Sequence, residues 1–392
     1  MSFELLSSDF YGFEDALSDR EKALIMSLRE YLETEIRPLV NDHWARAEFI
    51  YPAVQGLADL GMFGLPWEET RPFENSAIFR GWVALELGRI DASVATLVGM
   101  QNGLVMGSIA VAGSPAQRAE WLPKFASGEL LGAFGLTEPL SGSDSAQGLS
   151  TIATRDGDNW VLNGAKRWIG NGSISDVTII WAKSADDGQV KGFIVPTSTP
   201  GYSGTRIENK QALRIVQNAD ITLDNVVVPE ANRLQNGNSF RETAAILRQT
   251  RAEVAWAAVG NSIGAYEAAV KYAGERIQFG KPIGAHQLMQ ELLAKSLANI
   301  TSSIGVVTQV SQMLDEGKQR DEHSALAKEF TTSRMRETVA WCREVFGGNG
   351  IVLENNVIRH FADAEAIYSY EGTREMNTLI VGRAITGHAA FV

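Results

Sequence analysis

A single cysteine, Cys342, stands in a chain of 392 residues. No intrachain disulfide is possible, and a reducing compartment fits. Between Trp341 and Arg343, Cys342 reads as a small buried hydrophobe rather than a nucleophile. Histidine is scarce too. The five, at positions 43, 286, 323, 360 and 388, share no short ligand spacing, so no metal is expected.

There is no long run of one charge. Charged residues make up 21% of the chain, are spread along it, and sum to −12. That excludes a general affinity for nucleic acid or an anionic membrane, since both need clustered Lys and Arg. A local basic pocket for a phosphorylated ligand stays permitted. Nothing cationic precedes an apolar run at Met1-Ser2-Phe3-Glu4, so no signal or transit peptide is expected. Apolar stretches such as 260–270 are too short and too interrupted to cross a bilayer. The last three residues, Ala390-Phe391-Val392, are no peroxisomal address. The expected compartment is the cytoplasm.

What is present is core-forming material. Hydrophobic residues make up 45%, and the length suits two or three domains. Ser18-Asp19-Arg20-Glu21 is a capping box, after which Leu24, Leu28, Tyr31, Leu32 and Ile36 repeat at helical spacing, with Pro38 limiting the helix. Stretches 77–87 and 94–112 are similar, so the chain is mostly helical to about residue 128.

The period then changes. Short β-branched or aromatic runs at 160–162, 177–182, 192–195 and 221–228 are punctuated by Asp156-Gly157, Asn163-Gly164, Asn171-Gly172 and Asp187-Gly188. These are tight-turn dipeptides, and together they predict a compact antiparallel β-domain. Helical spacing returns from about Ser239, over 242–273 with a break near Gly260, then over 286–316 and 321–345. Lengths this great favour an antiparallel bundle.

Four motifs carry the candidate chemistry. Phe134-Gly135-Leu136-Thr137-Glu138-Pro139 ends a strand and runs into Ser141-Gly142-Ser143-Asp144, a loop whose small residues let backbone N–H groups approach a polar ligand. Trp168-Ile169-Gly170-Asn171-Gly172 follows a strand, and its indole either stacks on a flat ring or packs in the core. Phe346-Gly347-Gly348-Asn349-Gly350 stops a long helix with more glycine than a helix end requires. Tyr370-Glu371-Gly372-Thr373 precedes the last helix, 374–386, where a glutamate is commonly a solvated charge favoured by the helix dipole.

In this order, residues 134–144, Arg276-Ile277-Gln278-Phe279-Gly280, residues 346–351 and residues 370–373 resemble the acyl-CoA dehydrogenase family over nearly the whole chain. The branch they resemble most is that of glutaryl-CoA dehydrogenases and plant-type short-chain acyl-CoA oxidases. The resemblance implies an α+β multidomain fold. An N-terminal α-helical domain would cover 1–130, a central antiparallel β-domain 131–235, and a C-terminal four-helix bundle 236–392. It further implies a homotetramer, FAD as cofactor, an acyl-CoA substrate, electrons passed to an electron-transfer flavoprotein, and a place in fatty acid metabolism.

By the same resemblance, residues 134–143 line the flavin, with Phe134, Leu136 and Thr137 at the ring and Ser143 also touching CoA. Trp168 and Ile169 flank the ring. Arg276 and Gln287 hold FAD across a subunit interface, Phe346, Gly347, Gly348 and Gly350 form the partner's glycine loop, and Thr373 meets FAD. Arg251 and Gly372 border the acyl-CoA. Glu371 is the catalytic base. Relatives that place the base on the helix carrying Arg251 have it where this chain has Thr250, which cannot serve.

Two positions depart from the family. Ala95 stands where glutaryl-CoA dehydrogenases carry the arginine for a distal carboxylate, and no charge between Asp91 and Ala116 replaces it. A neutral acyl chain is therefore expected, since a buried unpaired carboxylate is costly. Gly170 stands where many dehydrogenases have a threonine, a change expected to open space near the flavin. The alternatives are an acyl-CoA oxidase using O₂, a glutaryl-CoA dehydrogenase, and a non-catalytic flavoprotein scaffold. DNA binding, known in the superfamily, fits the charge poorly.

Overall fold

The capping box at Ser18 forms, with the Ser18 N–H donating to Glu21 Oε2 at 2.9 Å and the Glu21 N–H to Ser18 Oγ at 3.4 Å. It starts helix α1, Asp19–Tyr31. The computed structural model describes residue 6 and residues 8–390, so the readings at residues 1–4 and 391–392 lie outside the described residues.

Pro38 does not stop the first helix. A π-turn at Leu32–Ile36 leads into α2, Arg37–Arg46, with Pro38 in its first turn, where no N–H is required. The N-terminal part continues with α3 (Tyr51–Asp59), α4 (Ala77–Ile90), α5 (Ala92–Gly99), α6 (Gly107–Ala112) and α7 (Pro115–Ala126). A second π-turn, Met100–Met106, joins α5 to α6. The resulting 21-residue stretch is, among the described residues, long and apolar enough to cross a membrane, which the sequence reading missed. Here it is a core helix, with 72% of its apolar window buried inside the fold.

The middle part is a seven-stranded sheet of β1 (Gly132–Gly135), β2 (Ile152–Asp156), β3 (Asn159–Ile169), β4 (Val177–Ser184), β5 (Val190–Pro196), β6 (Tyr202–Arg206) and β7 (Ala219–Pro229). Most pairs are antiparallel, but β4 runs parallel to both β1 and β2. The helix α8 (Ser145–Gly148) lies between β1 and β2. Asp156-Gly157, Asn171-Gly172 and Asp187-Gly188 make turns as expected. Asn163-Gly164 does not. It lies inside β3 at a bulge against β7, and a Cβ on Gly164 would fall 2.6 Å from Thr151 Oγ1.

Five helices complete the chain: α9 (Phe240–Glu275), α10 (Gln287–Asp315), α11 (Asp321–Val345), α12 (Val357–Ser369) and α13 (Arg374–Thr386). The 36-residue α9 runs unbroken through Gly260. That glycine admits the backbone of α4, since any Cβ there would meet the Leu85 carbonyl oxygen. Cys342 is fully buried in the bundle, and burial pushes its thiol up to about 12, so it is an inert core residue as expected.

Candidate active site

Glu371 sits between α12 and α13 on a backbone few side chains adopt, with φ of 54° followed by 82° at Gly372. A non-glycine residue in this region costs roughly 1–3 kcal/mol, so neighbours must hold it. They do. Lys328, fully buried on α11, donates to the carbonyls of Tyr368 at 2.8 Å and Gly372 at 2.9 Å. Asn377 Nδ2 donates to the carbonyls of Gly372 at 2.8 Å and Thr373 at 3.1 Å. Thr373 caps α13, its side chain accepting from the Met376 N–H.

The Glu371 carboxylate faces inward. Thr250 on α9 donates from Oγ1 to Glu371 Oε2 at 2.8 Å. Burial pushes the carboxyl above its ordinary range, while the Thr250 bond, Arg251 and Lys328 pull it back. Burial in turn draws Lys328 down to about 8, and Glu371 opposes this. Arg251 lies beside the loop, where a Cβ on Gly372 would be 3.8 Å from its Nε. That Nε is buried and has no hydrogen-bond partner among the described residues.

The β-domain supplies a second surface. Lys166 on β3 is fully buried and donates to the Leu136 carbonyl at 3.1 Å, Glu138 Oε1 at 2.8 Å and the Trp181 carbonyl at 2.6 Å. Burial draws Lys166 down to about 8, whereas Lys166 and hydroxyl donors hold Glu138 at about 2 against burial. At neutral pH both partners are therefore charged, and the pair clamps the loop after β1 onto β3. The Arg167 N–H donates to the Thr137 carbonyl at 2.9 Å, which sets Thr137 beside Trp168. Trp168 has φ of 64° and is 52% exposed, so the core alternative for its indole is wrong. Its neighbour Ile169 is the buried one, with Phe134 and Leu136. Ser143 is exposed at the tip of the same loop.

The helical stretch 92–112 links these two surfaces. Asp91 caps its start, accepting from the N–H of Ser93 at 2.7 Å, and pairs with buried Arg359 of α12 at 2.6 Å. A Cβ on Gly170 would lie 2.8 Å from Met100 Sδ, so Met100 fills the space that the glycine was expected to open. A Cβ on Gly103, within the same π-turn, would lie 2.6 Å from Thr250 Cγ2 and 3.4 Å from Glu253 Oε2. From the Trp168 loop the contacts run through Met100 and the π-turn to Thr250 and Glu371.

Glu253 was missed in the sequence. The signal was there, because it is the sole charged residue between Arg251 and Glu267. Burial pushes its carboxyl up to about 7, with Arg80 opposing and Glu371 adding to the rise. Arg80 was also missed. It arrives from α4 and donates to Asn75 at 2.8 and 3.0 Å.

The third group forms elsewhere. Arg276 caps the end of α9, the hairpin of β8 (Ile277–Gln278) and β9 (Lys281–Pro282) folds back on it, and Gln287 opens α10. Phe346 stacks on Tyr272 at 4.3 Å between centroids, and Asn349 Nδ2 donates to the Tyr272 hydroxyl at 2.8 Å. Gly347 and Gly348 are exposed beside open space, while Gly350 is buried. Arg276 lies 25 residues beyond Arg251 on one helix, a span of about 38 Å at 1.5 Å per residue. Within one chain this group and Glu371 do not share a site.

Three family models match the chain: acyl-CoA dehydrogenase N-terminal domain over residues 18–129, middle domain over 133–226 and C-terminal domain over 240–386. An acyl-CoA dehydrogenase of Bacillus subtilis (strain 168) is 31% identical, the match covering 92% of this chain and 96% of that protein. The structure of a glutaryl-CoA dehydrogenase from Mycobacterium smegmatis in complex with FADH2 superposes with a TM-score of 0.95 at 32% identity, covering 99% of this chain and 100% of that one. Butyryl-CoA dehydrogenase from Megasphaera elsdenii gives 0.89 at 29%, covering 98% and 100%.

Proposed function

Because the chain belongs to the acyl-CoA dehydrogenase family of FAD-dependent oxidoreductases, we propose that it desaturates a short acyl-CoA whose chain carries no carboxylate, between Cα and Cβ, with Glu371 as the base. The observation that carries this reading is the Glu371 carboxylate, half-buried, turned inward and held by Thr250 at 2.8 Å. A carboxylate raised by burial is a stronger base than one in water.

The residues present fit the cofactor. Trp168 offers an exposed aromatic face at a fixed left-handed position, and the Leu136 and Thr137 backbone is clamped beside it. When bound, FAD supplies the hydride acceptor. The Glu371 N–H makes no hydrogen bond among the described residues, which leaves it to donate to the thioester carbonyl and stabilise enolate-like charge. Glu371 takes the Cα proton as the substrate gives up a hydride from Cβ, leaving a 2-enoyl thioester. Arg251, with its buried unpartnered Nε, is assigned to the CoA end.

Arg276, Gln287 and residues 346–350 would meet the flavin of a second copy, since their own Glu371 is a helix length away. A homo-oligomer, which we take to be a tetramer, follows from that reading. The acyl chain is taken to lack a distal carboxylate because Ala95, buried among apolar side chains, offers it no cation. We assign an electron-transfer flavoprotein rather than O₂ as the acceptor, supported by Met100 filling the space beside Gly170.

The test is an anaerobic titration of the flavin-loaded protein with butyryl-, isobutyryl-, hexanoyl- and glutaryl-CoA, following flavin absorbance. Bleaching by a neutral short chain, lost by at least about 10²-fold in rate in Glu371→Gln, is expected. Full bleaching in that variant would sink the assignment of the base. Stoichiometric peroxide in air without an added acceptor would make the protein an oxidase.

A further inference from the structure

Glu253 is half-buried on α9, and its side chain keeps some accessible surface. It is three residues beyond Thr250 on the same helix and so shares the face that meets Glu371, with Cβ atoms about 5–6 Å apart. Gly99 and Gly103 stand opposite. Their added Cβ atoms would stand 3.5 Å from Glu253 Oε1 and 3.4 Å from Glu253 Oε2. Two glycines one turn apart leave room at the carboxylate that any larger residue would fill.

The carboxylate has no hydrogen bond and no ion pair among the described residues. Arg80 carries the opposing charge, but its guanidinium is taken up by Asn75 and stands 4.0 Å from Asp315. A half-buried carboxylate with no donor from the protein is open to a ligand's donor, and a hydrogen bond to a charged acceptor is among the stronger ones. Resting on the dehydrogenase reading above, we infer that Glu253 selects an acyl chain bearing a hydrogen-bond donor, a hydroxyl or an ammonium, on its γ carbon, and rejects a terminal carboxylate. The spacing fits. With the α carbon at Glu371, a donor two carbons further along reaches the next turn of α9. The reaction at Cα and Cβ is unchanged by such a substituent.

The experiment uses the flavin-loaded protein, wild type, Glu253→Gln and Glu253→Leu, titrated anaerobically with butyryl-, 4-hydroxybutyryl-, 4-aminobutyryl- and glutaryl-CoA. The wild type is expected to half-saturate with a donor-bearing thioester at a concentration at least about tenfold below that for butyryl-CoA, the value of one hydrogen bond to a charged group. Preference for the hydroxyl alone, kept in Glu253→Gln, identifies a hydroxyacyl substrate. Preference for the ammonium, lost in Glu253→Gln, identifies an aminoacyl one. In Glu253→Leu the order inverts toward butyryl-CoA. If butyryl-CoA bleaches the wild-type flavin as readily as both donor-bearing thioesters, and Glu253→Leu leaves the ratios unmoved, the assignment of Glu253 falls while the proposed reaction stands. If no thioester bleaches a loaded flavin in any of the three proteins, both readings fall together.

Discussion

The Thr250 hydroxyl donates to Glu371 Oε2 at 2.8 Å across a sequence separation of 121 residues. One partner lies in the first third of a 36-residue helix and the other on a left-handed loop between two shorter ones. The bond does two things at once. It fixes the rotamer of the proposed base and opposes the rise in its pKa that burial causes.

Thr250→Val therefore shifts a pH profile in a definite direction. Burial holds Glu371 above the ordinary carboxylate range, so flavin reduction rises with pH as the base ionises. Removing a donor to the ionised form raises that pKa further, and the rising limb should move to higher pH. Stopped-flow reduction across roughly pH 5–9, a range lying above the ordinary carboxylate value of about 4.3, reads it. An unmoved limb with an altered plateau would mean the hydroxyl acts on position only.

Glu253→Gln should stabilise the protein at alkaline pH. A carboxyl near 7 when folded and near 4.5 when unfolded binds its proton more tightly in the native state. Its stabilising contribution is present below the unfolded value and is lost as pH rises through the folded one. Thermal melts should show the variant gaining on the order of 2 kcal/mol over wild type at pH 8, a gain that shrinks toward pH 5.

Gly170→Thr should lower flavin occupancy several-fold, since the new side chain meets Met100 Sδ at a position 2.8 Å from its first carbon. Adding Met100→Ala should restore occupancy by clearing that space. The ratio of flavin to protein absorbance measures both. Peroxide production by the double variant then shows whether a hydroxyl at this position changes reactivity with oxygen.

Gly260→Ala sets two effects against each other. Alanine favours a helix interior by about 1 kcal/mol over glycine. Against that, the methyl meets the backbone carbonyl of Leu85, which cannot rotate away. Overpacking of this kind costs roughly 1–3 kcal/mol, so a net loss in denaturant titration is expected.

Arg276→Ala should release flavin and weaken assembly together, with no change in the fold of the single chain. The guanidinium is exposed and bonds nothing within its own chain through its side chain among the described residues. Size-exclusion chromatography at falling protein concentration, monitored at the flavin band, reads both at once.

Local chemistry was legible in the sequence wherever it is settled by near neighbours. The capping box at Ser18, the turns at Gly157 and Gly188 and the helix stop after Val345 are all of this kind. The errors came where a distant segment decides. Gly260 reads as a break until α4 is placed against it, and Asn163-Gly164 reads as a turn until β7 pairs alongside. Pro38 looks like a stop unless the chain has a π-turn before it. The motif residues were found, whereas the residues that hold them, Lys166, Lys328 and Asn377, were not, because their targets are backbone carbonyls that carry no sequence signature. Glu253 and Arg80 differ: Glu253 stood out as the sole charge between Arg251 and Glu267, but only the packing of α4, α5 and α9 brings the two to one space.

The length of α9 has a genetic consequence. If the base of one subunit works with the flavin-holding end of another, then a chain disabled at Glu371 still carries a sound Arg276, and a chain disabled at Arg276 still carries a sound Glu371. Each is inactive alone. Co-expressed, they form mixed pairs in which one of the two sites draws only intact residues, so two null alleles would complement. Two chains that both carry the Glu371 lesion have no such recourse, whatever their proportions.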